Sequence, residues 1–201
     1  MKNFIRDCTG VILAGGENTR MPVLKAFISV SGTPIIERNL SVMKQLFREV
    51  FIVTNQPENY VHLETPMLGD VCDIRGPMTG VFTSLLNSRD RWVFISACDM
   101  PFLNSRLIGY MASKRTGHDA VVPITDKGPE PLFAFYSARL AASMERKVLT
   151  GKRGLKDFLN HKKVKYIPSS EIKEFDQEGR SFINLNTPED VRHHLGPLVR
   201  I

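Results

Sequence analysis

The sequence contains few of the residues that build disulfide frameworks, zinc sites or covalent catalytic centres. Its 201 residues include only three cysteines, Cys8, Cys72 and Cys98, which are widely spaced and lie in apolar or strand-like runs. An odd, scattered set of this kind predicts reduced core thiols. The five histidines are dispersed without paired cysteines, and no serine occupies a Gly-x-Ser-x-Gly motif. Structural zinc and covalent catalysis are therefore not indicated.

Long apolar runs, internal repeats and low-complexity segments are also lacking. No stretch approaches the roughly 18 uninterrupted apolar residues of a membrane span. The charged residues 1–6 are not followed by the apolar segment and small-residue cleavage site of a secretory signal. We therefore expect a cytoplasmic protein with no membrane partner, folded as a single domain over residues 1–201.

The charge balance favours anionic ligands. The chain carries 27 basic and 21 acidic residues, a formal net charge of +6. Its apolar fraction of 42% is that of an ordinary globular protein. Because the net charge is positive, nucleic acid and phosphorylated small molecules are both candidate partners. An aromatic-rich strand motif or a recognition helix would favour nucleic acid, and the sequence has neither. We expect a small phosphorylated ligand and no nucleic acid.

Short apolar runs alternate with helical patterns along the chain. Thr33 and Pro34 fit the cap and first turn of a helix, and apolar residues recur behind them at helical spacing. Strands are predicted at 11–14, 26–30, 50–54, 92–96, 120–124 and 132–136, and further helices at 77–86 and 105–114. Strands that are apolar on both faces and separated by helices predict an α/β fold. Its sheet would be Rossmann-like, doubly wound and mostly parallel, with helices on both faces.

Residues 13–25 combine a glycine turn with two cations. Gly15 and Gly16 follow the first strand, and ligands of such sheets bind beyond the carboxyl ends of the strands. Glycines let backbone N–H groups approach an anion, while Arg20 and Lys25 can neutralise a polyphosphate. The segment lacks the Gly-Lys-Ser/Thr end of a Walker loop and the third glycine of a dinucleotide fingerprint. A strand end with solvated charges is the alternative interpretation.

Two polar residues follow other predicted strands. Asn55 comes directly after the predicted strand at 50–54, and Asp99 comes after the strand at 92–96, the most hydrophobic one. A carboxylate at Asp99 is a natural Mg²⁺ ligand, because Mg²⁺ takes one or two protein carboxylates plus phosphate oxygens. A loop-bracing or helix-capping aspartate is the alternative. Asp70 and Asp73 precede the turn before the next helix, and capping is the simpler explanation for either.

The second half of the chain is basic and closes with a polar motif. Residues 184–190 follow a short apolar strand and start a terminal helix, with Thr187 as its cap and Pro188 in its first turn. Seven basic residues lie between Lys147 and Lys165. They suit either a solvated helix face or a docking surface for an acidic ligand and the proteins that deliver it.

Together these motifs resemble the molybdenum cofactor guanylyltransferase family. Five motifs occur in the family's order: Leu-Ala-Gly-Gly at 13–16 with Arg20-Met21 and Lys25, Gly-Pro-Met-Thr-Gly at 76–80, Cys-Asp-Met-Pro at 98–101, Glu-Pro-Leu at 130–132 and Asn-Leu-Asn-Thr-Pro-Glu at 184–189. The first motif alone indicates the wider nucleotidyltransferase superfamily, and the last one narrows it. The resemblance spans nearly the whole chain. It implies Mg²⁺-dependent transfer of GMP from GTP to molybdenum-molybdopterin, with release of pyrophosphate.

The resemblance also implies a role for each matching residue. Catalysis would depend on Arg20, Lys25 and Asp99, with the two cations on phosphates and Mg²⁺ on Asp99. Asn184 and Asn186 would lie by the pterin or the metal. The residues implied to bind GTP are Leu13, Ala14, Gly15, Lys25, Asn55, Asp70 and Asp99. Asp73 competes with Asp70 for the same role, since the segment before Gly76 varies in length in the family.

The chain departs from the family pattern at two positions, and other functions stay open. Pro22 stands where a glycine usually follows Arg-Met, and Leu24 replaces the acidic residue often found before the lysine. Because Pro22 donates no N–H, the loop would contact phosphate differently from the loops of its relatives. CTP with the same pterin, or GTP with a corrinoid or sugar phosphate, is the nearest alternative. A GTP sensor without catalysis and a nucleic-acid-binding module are the others.

Overall fold

The computed structural model describes residues 4–15, 24–151 and 154–196. The helices in these ranges are α1 (Ile35–Leu46), α2 (Pro77–Asn87), α3 (Ser105–Ser113), α4 (Ala141–Leu149), α5 (Leu155–Leu159), α6 (Ser169–Ile172) and α7 (Pro188–Leu195). The strands are β1 (Cys8–Leu13), β2 (Ser29–Val30), β3 (Thr33–Pro34), β4 (Val50–Val53), β5 (Met67–Leu68), β6 (Trp92–Ala97), β7 (Ala120–Thr125), β8 (Gly128–Pro129), β9 (Phe133–Ser137) and β10 (Val164–Ile167).

Eight of these strands form one sheet, in the order β10-β7-β9-β6-β1-β4-β5 with β8 paired to β7 beside this row. The pairs β1–β4, β1–β6, β4–β5 and β7–β10 are parallel. Strand β9 runs antiparallel to both of its neighbours, β6 and β7, and β8 runs antiparallel to β7. The predicted α/β architecture with a mostly parallel sheet is therefore confirmed.

Helices cover both faces of the sheet, which explains why the strands are apolar throughout. Successive side chains of a strand point to opposite faces; Ile12 packs in the core under α1 and α3, while Val11 packs under α2, α4 and α5. Gly10 sits where helix and strand approach most closely, because a Cβ there would lie 2.6 Å from Cδ2 of Phe47. A larger residue at Gly10 would push α1 away from the sheet.

The predicted start of the first long helix is wrong. Thr33 and Pro34 form β3, which pairs antiparallel with β2, and α1 begins at Ile35 without a side-chain cap. The cause is a tight turn between these two short strands, at which Ser31 and Gly32 have φ values of 51° and 82°. This turn holds Thr33 in a strand pair, so its hydroxyl caps no helix.

Two predicted extended segments are only partly extended or not extended at all. In the segment 26–30, residues Lys25–Phe27 form a 3-10 helix and only Ser29–Val30 are a strand. The stretch before Asn184 is a 3-10 helix at Arg180–Phe182 rather than a strand. Both segments lie outside the eight-stranded sheet, so no ladder of hydrogen bonds holds them extended.

Two expectations from composition can be compared with the structure. Within the described ranges, no helix has the length and apolar character needed to cross a bilayer. All three thiols are free, with Cys8 buried and Cys72 and Cys98 half-buried. The prediction of unpaired thiols is confirmed.

Candidate functional site

A cavity of about 1020 Å³ lies at the carboxyl ends of the parallel strands. One side, which we call the strand-end wall, is formed by residues 13–15 at the end of β1, residues 53–56 at the end of β4, Asp70, residues 75–77 at the start of α2, and residues 97–100 at the end of β6. The strand ends are fixed against each other, since the N–H of Ala14 donates to the Val53 carbonyl at 2.9 Å. Neighbouring parallel strands thus bring their following loops to one place.

The opposite side, which we call the hairpin wall, has a different origin. It consists of residues 129–132, Lys156 from α5, and Asn184 and Asn186 from the closing motif. Because β9 is antiparallel to β6, it is the segment preceding β9 that reaches this edge of the sheet. The Ala97 N–H donates to the Leu132 carbonyl at 3.1 Å and fixes residues 129–132 beside the end of β6.

Lys25 joins the two walls. Its Nζ donates to Oδ1 of Asn186 at 2.6 Å and lies 3.6 Å from Oδ2 of Asp99. The side chains of Lys25 and Asp99 are 23% and 18% exposed, so a ligand in the cavity can reach both. The backbone adds a second link, because the Leu185 N–H donates to the Asp99 carbonyl at 3.0 Å.

The surroundings of Asp99 raise the pKa of its carboxyl group. Burial is the main cause, since it disfavours the charged form, and the positive charge of Lys25 opposes this rise. Burial likewise raises the pKa of the neighbouring Cys98 thiol to about 12. A raised pKa favours the protonated thiol of Cys98 at neutral pH.

Asn55 and Asp70 form a matched pair on the strand-end wall. Nδ2 of Asn55 donates to Oδ2 of Asp70 at 2.7 Å, and the Asp70 N–H donates to Oδ1 of Asn55 at 2.9 Å. Asp73 is exposed and lies outside the cavity lining. Neither aspartate caps α2, whose N-cap is Gly76 without a side-chain hydrogen bond. The capping interpretation of both is wrong, and of the two it is Asp70 that lines the cavity.

The closing motif is held rigid by its own helix cap. Thr187 and Asp190 form a reciprocal capping box at the start of α7. Oδ2 of Asp190 accepts from the N–H groups of Asn186 and Thr187, both at 2.9 Å. Burial raises the pKa of the Asp190 carboxyl group, but these hydrogen bonds outweigh burial and lower the pKa below its usual value. The predicted cap at Thr187 is confirmed, and Asp190 also fixes Asn186, which contacts Lys25.

The donor set around Asp99 suits a magnesium ion. Among residues 4–15, 24–151 and 154–196, no group of three or more His, Cys, Asp and Glu side chains could hold a metal alone. Asp99 instead offers one carboxylate facing the cavity, and Mg²⁺ binds through one or two carboxylates, waters and phosphate oxygens. The amide oxygens of Asn184 and Asn186 are additional oxygen donors on the same cavity.

Every predicted site residue in the described ranges lines this one cavity. These residues are Leu13, Ala14, Gly15, Lys25, Asn55, Asp70, Asp99, Asn184 and Asn186. Arg20, the remaining predicted catalytic residue, lies outside the described residues, as do Gly16 and Pro22.

The cavity also contains side chains that the sequence analysis did not select. Arg75 directly precedes the Gly-Pro-Met-Thr-Gly motif at 76–80, and this position was the one sign in the sequence that it belongs to the site. Lys156 belongs to the basic stretch but turns into the cavity. Glu130 accepts from the Thr125 hydroxyl at 3.1 Å, and burial raises the pKa of its carboxyl group. With these residues the described lining balances three cations (Lys25, Arg75, Lys156) against three carboxylates (Asp70, Asp99, Glu130).

Comparison with known proteins places the chain among nucleotidyltransferases. A family model described as a MobA-like NTP transferase domain matches residues 10–166. The molybdenum cofactor guanylyltransferase of Desulfosudis oleivorans is 35% identical over 185 residues, covering 91% of this chain and 92% of the relative. A probable molybdenum cofactor guanylyltransferase of Peptoclostridium acidaminophilum is 34% identical over 193 residues, covering 92% and 87%.

A solved structure shows the same fold. The crystal structure of molybdopterin-guanine dinucleotide biosynthesis protein A from Archaeoglobus fulgidus superimposes with a TM-score of 0.81 at 27% identity. The match covers 92% of this chain and 95% of that protein. Both the sheet and the surrounding helices are therefore shared over almost the full length of both proteins.

Proposed function

The chain belongs to the MobA-like NTP transferase family, and from this premise we propose that it is a molybdenum cofactor guanylyltransferase. The reaction transfers GMP from GTP to the phosphate of molybdenum-molybdopterin and releases pyrophosphate. The relatives named for this activity support the choice of substrates. The enzyme is a single nucleotidyltransferase domain, because segments from Leu13 to Asn186 line one cavity.

The observation that carries the proposal is the position of Lys25 between the two walls. Its ammonium group touches Asn186 of the closing motif and lies beside Asp99. A triphosphate on the strand-end wall and an acceptor on the hairpin wall would meet at this cation. The cavity of about 1020 Å³ lies at the upper end of the roughly 300–1,000 Å³ that small-molecule sites measure, which suits a large ligand set.

The strand-end wall is the nucleotide side of the proposed enzyme. Among the described residues, no atom lies within 4 Å of the place that a Cβ on Gly15 would take, which supports close approach of a phosphate to its backbone. Asn55 and Asp70 hold each other in fixed orientations, which suits recognition of the nucleoside. Arg20 and Lys25 would offset charge on the departing pyrophosphate.

The hairpin wall is the acceptor side. Asn184 and Asn186 supply amide groups for the pterin, and Lys156 supplies a cation for its phosphate. No salt bridge of 4.0 Å or less occupies Lys156 within the described part of the chain, so its ammonium group is available to an anion. Proteins that deliver the cofactor would approach the same wall, to which the basic stretch contributes Lys156.

The chemistry requires no protein nucleophile. An oxygen of the acceptor phosphate attacks the α-phosphorus of GTP in line, and the bond to the β-phosphate oxygen breaks. The chain's own contribution is to align the two phosphates and to neutralise the leaving group, as positioning and charge do in other phosphoryl transfers. Mg²⁺ held by Asp99 would supply further positive charge at the phosphate oxygens.

We place the reaction in the cytoplasm. The three free thiols support this location, because reducing compartments keep cysteines unpaired.

The test is pyrophosphate release from GTP and Mg²⁺, with and without purified molybdopterin. We expect pyrophosphate only when both substrates are present, together with a guanine dinucleotide product. ATP, CTP and UTP assayed side by side decide the base. Faster release from CTP would assign the alternative cytidylyl transfer, and GTP binding without pyrophosphate from any acceptor would contradict an enzymatic role.

A further inference from the structure

Glu130 is a carboxylate of the main cavity to which the proposed reaction assigns no role. Of the three carboxylates in the described lining, Asp99 lies beside Lys25 and Asp70 is paired with Asn55. Glu130 stands on the hairpin wall, where it is half-buried and makes no salt bridge of 4.0 Å or less with any residue that the structure describes. A carboxylate repels phosphate, so its partner in a substrate is a group that carries N–H donors.

The Glu130 carboxylate is held in a fixed position. The backbone N–H of Glu130 donates to the Pro123 carbonyl at 3.0 Å, and its carbonyl accepts from the Phe133 N–H at 3.1 Å. The Thr125 hydroxyl donates to Oε1 of Glu130 at 3.1 Å, and Thr125 is itself paired with Gly128 across the β7–β8 turn. A carboxylate accepts about four hydrogen bonds, of which the described residues supply this one. The oriented carboxylate therefore keeps acceptor capacity for a ligand in the cavity.

The surface around Glu130 suits a planar ring. The half-buried residues beside it in the cavity lining are Pro129, Pro131 and Leu132. A heterocycle packs on such apolar surface, whereas a metal ion takes oxygen ligands and gains nothing from it. The same wall offers a cation for an anionic substituent, because Nζ of Lys156 lies 3.7 Å from the place that a Cβ on Gly128 would take. The hairpin wall thus matches a heterocycle that carries both N–H donors and a phosphate.

The two substrates of the proposed reaction carry the same pair of donors. Guanine presents N1–H next to a 2-amino group, and a pterin presents N3–H next to a 2-amino group. Each pair matches the two oxygens of one carboxylate. Besides Asp99, the described lining has one carboxylate on each wall, Asp70 on the nucleotide side and Glu130 on the acceptor side. Each heterocycle can therefore be met by a carboxylate of its own.

We propose that Glu130 selects the acceptor substrate by accepting hydrogen bonds from the N3–H and 2-amino groups of its pterin. The inference rests on the proposed function and deepens it, because it gives the Glu-Pro-Leu motif at 130–132 a contact to the acceptor. Lys156 then takes the phosphate end of the same molecule. The N–H donors of the pterin also offset the burial that raises the pKa of the Glu130 carboxyl group.

Two matched probes test this contact in the full chain without turnover. 6-Hydroxymethylpterin phosphate carries the 2-amino group, and 6-hydroxymethyllumazine phosphate has an oxygen in its place. Fluorescence titration should show that the wild-type protein binds the pterin about tenfold or more tightly than the lumazine, because the carboxylate loses one donor and faces a second acceptor. Equal affinity for the two probes, or binding of neither, would overturn the inference.

The outcome is separable from that of the proposed function. Pyrophosphate release from GTP and molybdopterin by a protein that binds the two probes equally would reject the role of Glu130 alone. Discrimination between the probes without pyrophosphate release would reject the enzymatic role and keep the pterin contact.

Glu130→Gln keeps the size of the side chain and replaces one acceptor oxygen by a donor. We expect it to weaken the pterin probe about tenfold or more, to abolish the preference over lumazine and to raise KM for molybdopterin, with KM for GTP within about twofold of wild type. Asp126→Asn removes a carboxylate from the exposed tip of the same hairpin, outside the cavity lining, and should change none of these values. A rise in KM for GTP alone, or a greater need for Mg²⁺ at unchanged pterin affinity, would assign Glu130 to the nucleotide or the metal and overturn the inference.

Discussion

The two walls of the main cavity are built by different physical means. The strand-end wall follows from parallel pairing, because β1, β4 and β6 end side by side and their backbones are locked by ladder hydrogen bonds. The hairpin wall consists of loops and of α5, a helix of five residues. Its polar groups are held by side-chain contacts, such as those between Asp190, Asn186 and Lys25.

This difference indicates how each wall responds to substitution. On the strand-end wall, the backbone provides much of the proposed binding surface, so replacing one side chain leaves the scaffold intact. On the hairpin wall, one lost hydrogen bond releases the next residue in the chain of contacts. Lys25 belongs to both systems, and changes near it should have the largest effect.

Lys25→Ala tests the connection between the walls. Removing the ammonium group deletes the contact to Asn186 and the charge beside Asp99. We expect kcat to fall by on the order of 10² or more, with a much smaller loss of folding stability. Steady-state pyrophosphate release and denaturant unfolding measure the two effects.

The exposed Lys163 provides a matched control, since Lys163→Ala removes the same charge far from the cavity lining. Unchanged turnover in Lys25→Ala would remove Lys25 from the mechanism and leave the walls functionally separate.

Asp99→Asn tests the metal side of the strand-end wall. We expect kcat to fall by about 10² because the carboxylate is lost, while the unfolding free energy at pH 7 is not lowered. Burial raises the Asp99 pKa in the folded state. The uncharged Asp99 carboxyl group therefore favours the folded state at a pH below its pKa in the unfolded chain, and this contribution is lost as pH rises through its pKa in the folded protein.

Asp99→Asn has no carboxyl group to ionise and keeps its stability as pH rises. Its unfolding free energy relative to wild type should therefore be higher at pH 7 than at pH 3. Urea unfolding at both pH values checks the sign. A variant that is relatively less stable at pH 7 would show that the ion pair with Lys25 outweighs the cost of burying the carboxylate.

Lys156→Ala tests the hairpin wall alone. A charge-assisted hydrogen bond to a phosphate contributes about 1.5–3 kcal/mol, so we expect KM for molybdopterin to rise by roughly 10- to 150-fold. KM for GTP should stay within about twofold of the wild-type value. An equal rise in both constants would show that the two walls do not divide the substrates as proposed.

Asp190→Ala should have the smallest effect. It removes the capping box of α7 and should lower the unfolding free energy by about 1 kcal/mol. The lowered pKa of Asp190 means that its ionised carboxylate stabilises the folded state above its unfolded-state pKa. The difference in unfolding free energy between wild type and Asp190→Ala should therefore shrink as pH falls through the folded-state pKa. Asn186 is held less firmly, so KM for molybdopterin should rise a few-fold, whereas Glu189→Ala at the exposed neighbouring position should leave it unchanged.

The strand-end wall was largely predictable from the sequence, whereas on the hairpin wall only Asn184 and Asn186 were selected, through the family resemblance. Apolar runs ending in Gly15, Asn55 and Asp99 identify parallel strands and the residues beyond them. The same rule misses the segment 129–132, because that segment precedes an antiparallel strand. Lys156 was assigned to a basic stretch as a whole, since no local pattern shows which cation of such a stretch turns inward.

The sequence by itself determined the alternation of strands and helices, the free thiols, the cap at Thr187 and the set of motif residues. These features depend on local spacing and on residue type, which a linear chain displays directly. Only the tertiary structure decided the reversal of β9, the choice of Asp70 over Asp73 as a cavity residue, and the contact of Lys25 with Asn186 across 161 positions. Each of these depends on which distant segments pack together, and that outcome is settled by burial of the whole core.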